Sequence, residues 1–291
     1  MEMRAFFGFD TEENFIISHR KIDPSRSPFI QDQLEVIHEG NSIEELEQSI
    51  QHMTMTQSYK VECLNKMDIG KTAKIHHPER RDIEKRIGLC IEGEVNLDNP
   101  DIVLGLLNLN GRWYLGNYTK AESIWRKHLH KPNSYSTALS TRVARSIVNI
   151  AIPKPEGIRA IDPCCGIGTV VIEALSMGIN IIGRDISPLV CVGARENIQY
   201  FEYETTVTKG PISDVSEHYD VAFVDLPYNI YSHISPEEEL DLIKQARRIA
   251  DRVLFVTVDP IDEAVRNAGF TIIDRAIAKK ANFTRQILLC E

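Results

Sequence analysis

No apolar run in this chain approaches the ~20 residues that a membrane-spanning helix needs. The first residues, Met1-Glu2-Met3-Arg4, lack the basic start and long apolar core of a secretory signal. Cysteine is present but unpaired in pattern: Cys63, Cys90, Cys164, Cys165, Cys191 and Cys290 include no Cys-x-x-Cys, which excludes a zinc ribbon, and no metal is expected. Several of these thiols lie in apolar contexts, where they pack as small hydrophobes. A reducing, cytoplasmic setting fits best. Internal repeats and low-complexity tracts are absent as well. What remains is an ordinary soluble composition, 43% hydrophobic and 26% charged, on 291 residues, enough for about two domains.

Positive charge is also short overall. The net charge is −9, which argues against a polyanionic partner when taken globally. Its distribution argues the other way. Between residues 112 and 145 stand Arg112, Lys120, Arg126, Lys127, Lys131, Arg142 and Arg145 against one acid, Glu122, with His128 and His130 added. Acid is concentrated elsewhere, as in Glu44-Glu45-Leu46-Glu47 and Glu237-Glu238-Glu239. A basic stretch is either a solvated face or a nucleic-acid footprint.

The strongest boundary signal is the basic turn Lys131-Pro132-Asn133-Ser134. Before it, residues 4–9 and 14–18 read as strands. Ser42 heads a helix through Ser49, with Glu45 completing a capping box. Residues 59–64 alternate as a strand. Pro78 opens a helix through Ile91 with Ile83, Ile87 and Ile91 on one face. Residues 102–109 and 113–118 form a hairpin around Asn110-Gly111. The order suits an α+β module with ferredoxin-like pieces. After the boundary, a helix over 141–150 leads into regular alternation: strands 158–162, 179–185, 205–209, 221–225 and 253–258, with helices 167–177, 188–200, 235–249 and 261–268. Ser235 and Glu238 form a second capping box. Strands 270–279 and 284–290 close the chain as a hairpin. Alternation of this kind implies a parallel sheet covered on both faces.

Two strand ends carry the chemistry. The first runs Asp162-Pro163-Cys164-Cys165-Gly166-Ile167-Gly168-Thr169 into a helix. The third glycine of a dinucleotide loop is missing, so the glycine spacing alone is weak. Strand, acid, glycine loop and helix start together suit a ligand with a carboxylate, as in S-adenosylmethionine. Asp185 ends the next strand, where it either accepts from ribose hydroxyls or caps a helix. Ile186 behind it is placed to pack on adenine. Asp214 is either an acceptor for the adenine amine or a turn residue. Cys164 and Cys165 have no adjacent histidine to activate them and read as packing residues at the loop.

The second strand end is Asp225-Leu226-Pro227-Tyr228. The Asp225 carboxylate and the Leu226 carbonyl can each accept one hydrogen of an exocyclic amine, which frees a lone pair otherwise delocalised into a base. Pro227 stiffens the turn. Tyr228 supplies a stacking face, worth roughly 1–3 kcal/mol at comparable sites. Methyl transfer to an amino nitrogen follows, on a base taken out of its stack. The bland alternative is a strand-ending turn. Asn229, Tyr231 and His233 lie in the loop that follows.

These two motifs together resemble the amino-methyltransferase group with a D/N-P-P-Y motif. Residues 93–101 (Gly93-Glu94-Val95-Asn96-Leu97-Asp98-Asn99-Pro100-Asp101) resemble a THUMP-domain signature. Lys131-Pro132-Asn133-Ser134-Tyr135-Ser136 and Ala144-Arg145-Ser146-Ile147-Val148-Asn149 are similar to the linker and first helix of tRNA guanine-10 N2-methyltransferases, and Arg26-Ser27-Pro28-Phe29-Ile30 to that family's N-terminal region. The resemblance implies residues 1–57 as a ferredoxin-like part, 58–130 as a THUMP-like RNA-binding part, 131–150 as linker and first helix, and 151–291 as a Rossmann-like methyltransferase domain with an antiparallel last strand. It implies S-adenosylmethionine as cofactor and tRNA as partner, and leaves room for a small activating protein. Asn229 stands where that family has glycine. The tetrapeptide does not name the base: N2-guanine or N6-adenine methylation of rRNA or DNA, and a catalytically silent RNA-binding scaffold, stay open beside N2 methylation of a tRNA guanosine.

Overall fold

A computed structural model describes residues 1–65, 69–70, 75–135, 138–227, 235–280 and 283–291. The chain divides into two units, one of Thr11–Ser25 and Phe29–Glu122, the other of Met1–Asp10, Arg26–Pro28 and Ser123–Glu291. The chain opens with helix α1 (Glu2–Phe7), part of the larger unit. The strand expected over residues 4–9 is therefore a helix: Glu, Met, Arg and Ala are better helix formers than strand formers, and Gly8 ends it at φ 91°. Residues 14–18 form no regular element.

The smaller unit contains β1 (Asp32–Gly40), α2 (Ile43–Ser49), β2 (Tyr59–Cys63), α3 (His77–Leu89), β3 (Ile102–Leu109) and β4 (Arg112–Lys120). Its sheet has the order β1-β4-β3-β2, with β2 parallel to β3 and the other pairs antiparallel. Asn110 (φ 55°) and Gly111 (φ 84°) both take the left-handed conformation that a two-residue hairpin turn demands. Ser42 accepts from the Glu45 N–H, while the Glu45 carboxylate accepts from Asn41, so half of the expected box forms. Ile83, Ile87 and Leu46 pack with Tyr59, Leu104 and Leu115 in one core. One sheet thus spans residues 32–120, and no division falls at residue 57. Its chain order, β-α-β-α-β-β, is not the β-α-β-β-α-β of a ferredoxin-like unit.

The larger unit continues through a 3₁₀ helix (Ile124–His130), α4 (Thr141–Ala151), β5 (Arg159–Asp162), α5 (Thr169–Leu175), β6 (Asn180–Asp185), α6 (Pro188–Tyr200), β7 (Val207–Lys209), β8 (Tyr219–Asp225), α7 (Pro236–Ile249), β9 (Ala250–Thr257), α8 (Asp262–Asn267), β10 (Ile272–Lys280) and β11 (Phe283–Cys290). The sheet order is β10-β11-β9-β8-β5-β6-β7. Strands β5 to β9 pair in parallel, and β11 runs antiparallel to both β9 and β10. This is the doubly wound sheet with a terminal hairpin that the alternation implies. Successive residues of a strand face opposite sides: Phe223 joins the core under α4, α5 and α6, and Val224 joins the core under α7 and α8. The Ser235–Glu238 capping box is complete at α7. Behind α5, the buried Glu173 carboxylate accepts from Arg145 Nη1 (2.8 Å) and lies 2.6 Å from His128 Nδ1. Among the described residues no helix is long and apolar enough to cross a membrane.

Helix α1 is held to α4 through a buried carboxylate. Glu2 accepts from Asn149 Nδ2 (2.6 Å) and Ser27 Oγ (3.2 Å). Burial outweighs these hydrogen bonds and pushes the carboxyl up to about 7. An acid whose folded pKa is raised holds its proton more tightly than the unfolded chain does, so its contribution to stability is lost as pH climbs from about 4.5 to about 7. Glu2→Gln keeps an acceptor for Asn149 and offers Ser27 a donor. The variant is expected to gain on the order of 2–3 kcal/mol at pH 8 and almost nothing at pH 4.5, read by urea titration at both pH values.

Candidate functional site

The chain leaves β5 towards β6 and β7 on one side of the sheet, and β8 and β9 lie on the other. Such a reversal opens a crevice at the carboxyl ends of the two central strands. Asp162 ends β5 and Asp225 ends β8, and both line one cavity of about 30 Å³ together with Cys164, Gly166, Thr169 and Tyr135. Gly166 sits at φ 53°, a conformation that favours glycine. Thr169 is 6% exposed, and its buried Oγ1 has no hydrogen-bond partner among the described residues.

The cavity is electrostatically one-sided. No basic side chain is among its lining residues. Asp162 is 3% exposed and accepts the Cys164 N–H at 3.2 Å. Burial, then the nearby Asp225 and Asp185 carboxylates, hold its carboxyl well above the usual range despite that bond. Burial and the same acids push the Cys164 and Cys165 thiols up, so neither is a thiolate nucleophile at neutral pH. Among the described residues no group of three or more His, Cys, Asp or Glu is arranged to hold a metal ion.

The other expected site residues fall around this cavity or away from it. Gly168 caps α5 at φ 80°, where an added Cβ would sit 3.5 Å from Ala194. Asp185 accepts from the Gly166 N–H (3.0 Å) and the Ser187 N–H (2.9 Å), so it fixes the glycine loop as well as the start of α6. Ile186 beside it is 70% exposed. Asp214 is exposed and pairs with Arg184 at 3.4 Å, outside the cavity lining, so the structure does not bring it to the site. Leu226 is buried in the core, and its N–H donates to the Val256 carbonyl at 2.9 Å. Pro227 is half-buried. Tyr228, with Asn229, Tyr231 and His233, lies outside the described residues. Tyr135 is the lining residue that sequence reasoning missed. It sits in the segment read as linker, and its one signal is an aromatic ring in a polar turn.

The basic stretch splits between the units. Arg112, paired with Glu39 at 2.7 Å, and exposed Lys120 belong to the smaller one. Arg126 and Lys127 are exposed and Lys131 is half-buried in the larger one. The guanidinium groups of Arg126 and Arg142 lie 5.6 and 5.3 Å from the centre of the Trp125 ring. Arg145 is not on the surface at all. It is 1% exposed, tied to Glu173, Ser176 and the Arg26 carbonyl, and is removed from the footprint. His128 is buried too and adds nothing to a surface charge.

Residues 129–257 match the UPF0020 family, an RMKL-like methyltransferase domain. A tRNA (guanine(10)-N2)-dimethyltransferase of Methanothermobacter thermautotrophicus is 28% identical over 180 residues, 57% of this chain and 53% of that protein. The enzyme of the same name from Pyrococcus abyssi is 29% identical over 216 residues, 68% and 64% of the two chains. The chain thus spans between about half and two thirds of the length of these curated relatives. A crystal structure of a candidate RNA methyltransferase from Pyrococcus horikoshii matches with a TM-score of 0.50 at 17% identity, over 58% of this chain and 94% of that one, a likeness of fold alone.

A buried acid crowded by other acids costs stability wherever it is forced to ionise. Asp162→Asn keeps the acceptor for Cys164 and removes the charge. The ligand-free variant is expected to melt higher than the parent at pH 8, with the gain shrinking as pH falls towards 4, because a raised folded pKa penalises the native state only above the unfolded value. Melting curves across that range decide it; a lower melting temperature at pH 8 would contradict the electrostatic account.

Proposed function

We propose that this chain, whose residues 129–257 form an RMKL-like methyltransferase domain, transfers a methyl group from S-adenosylmethionine to the exocyclic N2 of a guanosine in tRNA. The observation that carries the reading is the placement of Asp162, Gly166, Thr169 and Asp225 on one cavity at the reversal point of the sheet. The residues fit the donor. S-adenosylmethionine brings a sulfonium and an ammonium against one carboxylate, and the cavity offers buried acids with no basic side chain among its lining residues. The partnerless Thr169 hydroxyl and the glycine loop suit close approach of a polar ligand. The curated relatives are named for guanosine 10, and that position is the proposed target.

When bound, the donor supplies an electrophilic methyl group. The protein supplies position. Asp225 ends β8 at the cavity, and Leu226, anchored by its buried side chain and its bond to Val256, holds that carboxylate in place. The Asp225 carboxylate and the Leu226 carbonyl each take one hydrogen of the N2 amine, which turns the lone pair from the ring towards the methyl group. The methylated nitrogen is strongly acidic and sheds a proton to solvent, so no strong base is required. Alignment of this kind supplies much of the rate. Tyr228 completes the reading from sequence, as the face on which the base stacks.

Incubation with bulk tRNA and labelled donor, followed by mass spectrometry of the nucleosides, is expected to give N2-methylguanosine, and it distinguishes one methyl from two. Label in N6-methyladenosine, or in rRNA or DNA instead of tRNA, would replace this reading with another. Asp225→Ala is expected to lower transfer by about a hundredfold or more while S-adenosylhomocysteine still binds. Unimpaired turnover in that variant would remove Asp225 from the mechanism. Arg126→Ala with Lys127→Ala is expected to weaken tRNA binding and to flatten the log–log salt dependence by about 1.5, and an unchanged slope would place the RNA elsewhere.

A further inference from the structure

Tyr135 enters the cavity from the segment ahead of α4, and its hydroxyl stands 2.5 Å from where a Cβ on Gly166 would be. The phenol therefore lies directly over the glycine loop. The cavity left beside it, about 30 Å³, has room for about one water. A larger ligand reaches Gly166 only by turning the ring outward.

The polar groups on this cavity fall into two kinds. Asp162 and Asp225 are carboxylates, suited to a cation. Tyr135 and Thr169 present hydroxyl groups, the donors that an anionic ligand group needs. Thr169 Oγ1 is buried without a partner among the described residues. An unmet buried hydroxyl costs about 1–3 kcal/mol, which a ligand acceptor would recover. Burial, then Asp225, Asp185 and Asp162, push the Tyr135 phenol up to about 12, so it stays a protonated donor at neutral pH.

We propose that Tyr135 is a binding residue for the amino-acid end of the methyl donor: its O–H, with that of Thr169, holds the ligand carboxylate, while Asp162 takes the ammonium. The inference rests on the donor-binding reading above and adds a residue and a division of labour to it. A hydrogen bond to a charged group is worth more than a neutral one and is lost cleanly when the hydroxyl alone is removed.

The test uses two probes on the full chain by isothermal titration calorimetry. S-adenosylhomocysteine has the amino-acid end; 5′-methylthioadenosine lacks it. Tyr135→Phe is expected to weaken S-adenosylhomocysteine about 10–100-fold and to leave 5′-methylthioadenosine within about twofold. Thr169→Val is expected to show the same selectivity. Equal loss for both probes would reduce Tyr135 to a packing ring and overturn the inference, as would unchanged binding of S-adenosylhomocysteine. Failure of the parent protein to bind S-adenosylhomocysteine would overturn the donor-binding reading itself, and this inference with it.

Discussion

The parallel pairing of β5 with β8 is the constraint from which the site follows. Ala160 lies opposite Val221 and Ile161 opposite Ala222, in the middle of a seven-stranded sheet. The strands are neighbours in space but about sixty residues apart in the chain, because the connections from them wind to opposite edges. Neither connection can cover the gap between the two ends. Strand β5 stops at Asp162, whereas β8 keeps its pairing with β9 through Asp225, opposite Val256. The bond from Leu226 to Val256 then extends this rigid edge one residue further. A carboxylate at the last position of a strand held in this way has little freedom to drift.

That geometry sets a conflict that the loop chemistry manages in part. Asp162, Asp185 and Asp225 influence one another closely enough to raise the Asp162 carboxyl. Asp185 is relieved by two backbone N–H groups, from Gly166 and Ser187, and Asp162 by one, from Cys164. A cationic ligand would relieve the remainder. The site is thus unfavourable for the free protein in the same sense in which it is favourable for its ligand, the usual relation between stability and activity. Helix α5, which follows the glycine loop, is anchored independently. Glu173 joins it to Arg145 on α4 and to His128 ahead of the linker. Removing one partner of such a buried pair costs about 3–5 kcal/mol, so the wall behind the site resists deformation.

Features that local chemistry dictates were legible in the sequence. The Ser235–Glu238 box, the Asn110-Gly111 turn and the alternation from β5 to β11 each need only neighbouring residues, and each is present. Strand β1 was not legible. A bulge between Val36 and His38 breaks its alternation, leaving Val36 and Ile37 48% and 46% exposed in succession. Helix α1 was misread because two adjacent phenylalanines in six residues carry no period. Its burial depends on α4, over a hundred residues away. At the site, the strand-end acids announced themselves by following apolar runs. Tyr135 did not, since its position over Gly166 is created by the fold and not by spacing.

Arg145 shows why a count of charges is a poor map of a binding surface. In sequence it is one more cation in a basic run. In the fold it is the counter-ion of Glu173, with a further bond to the Arg26 carbonyl. Its neighbour three positions earlier on the same helix, Arg142, is exposed and lies against Trp125, as does Arg126. Three residues along a helix turn the side chain by most of a full turn, yet here the small offset separates core from solvent. An arginine resting on an aromatic ring gives up side-chain freedom before any partner arrives, while its N–H groups remain directed outward. Less entropy is then lost when those groups meet a phosphate. On a chain with a net charge of −9, a few cations held in advance carry more of the affinity for RNA than a larger number left mobile.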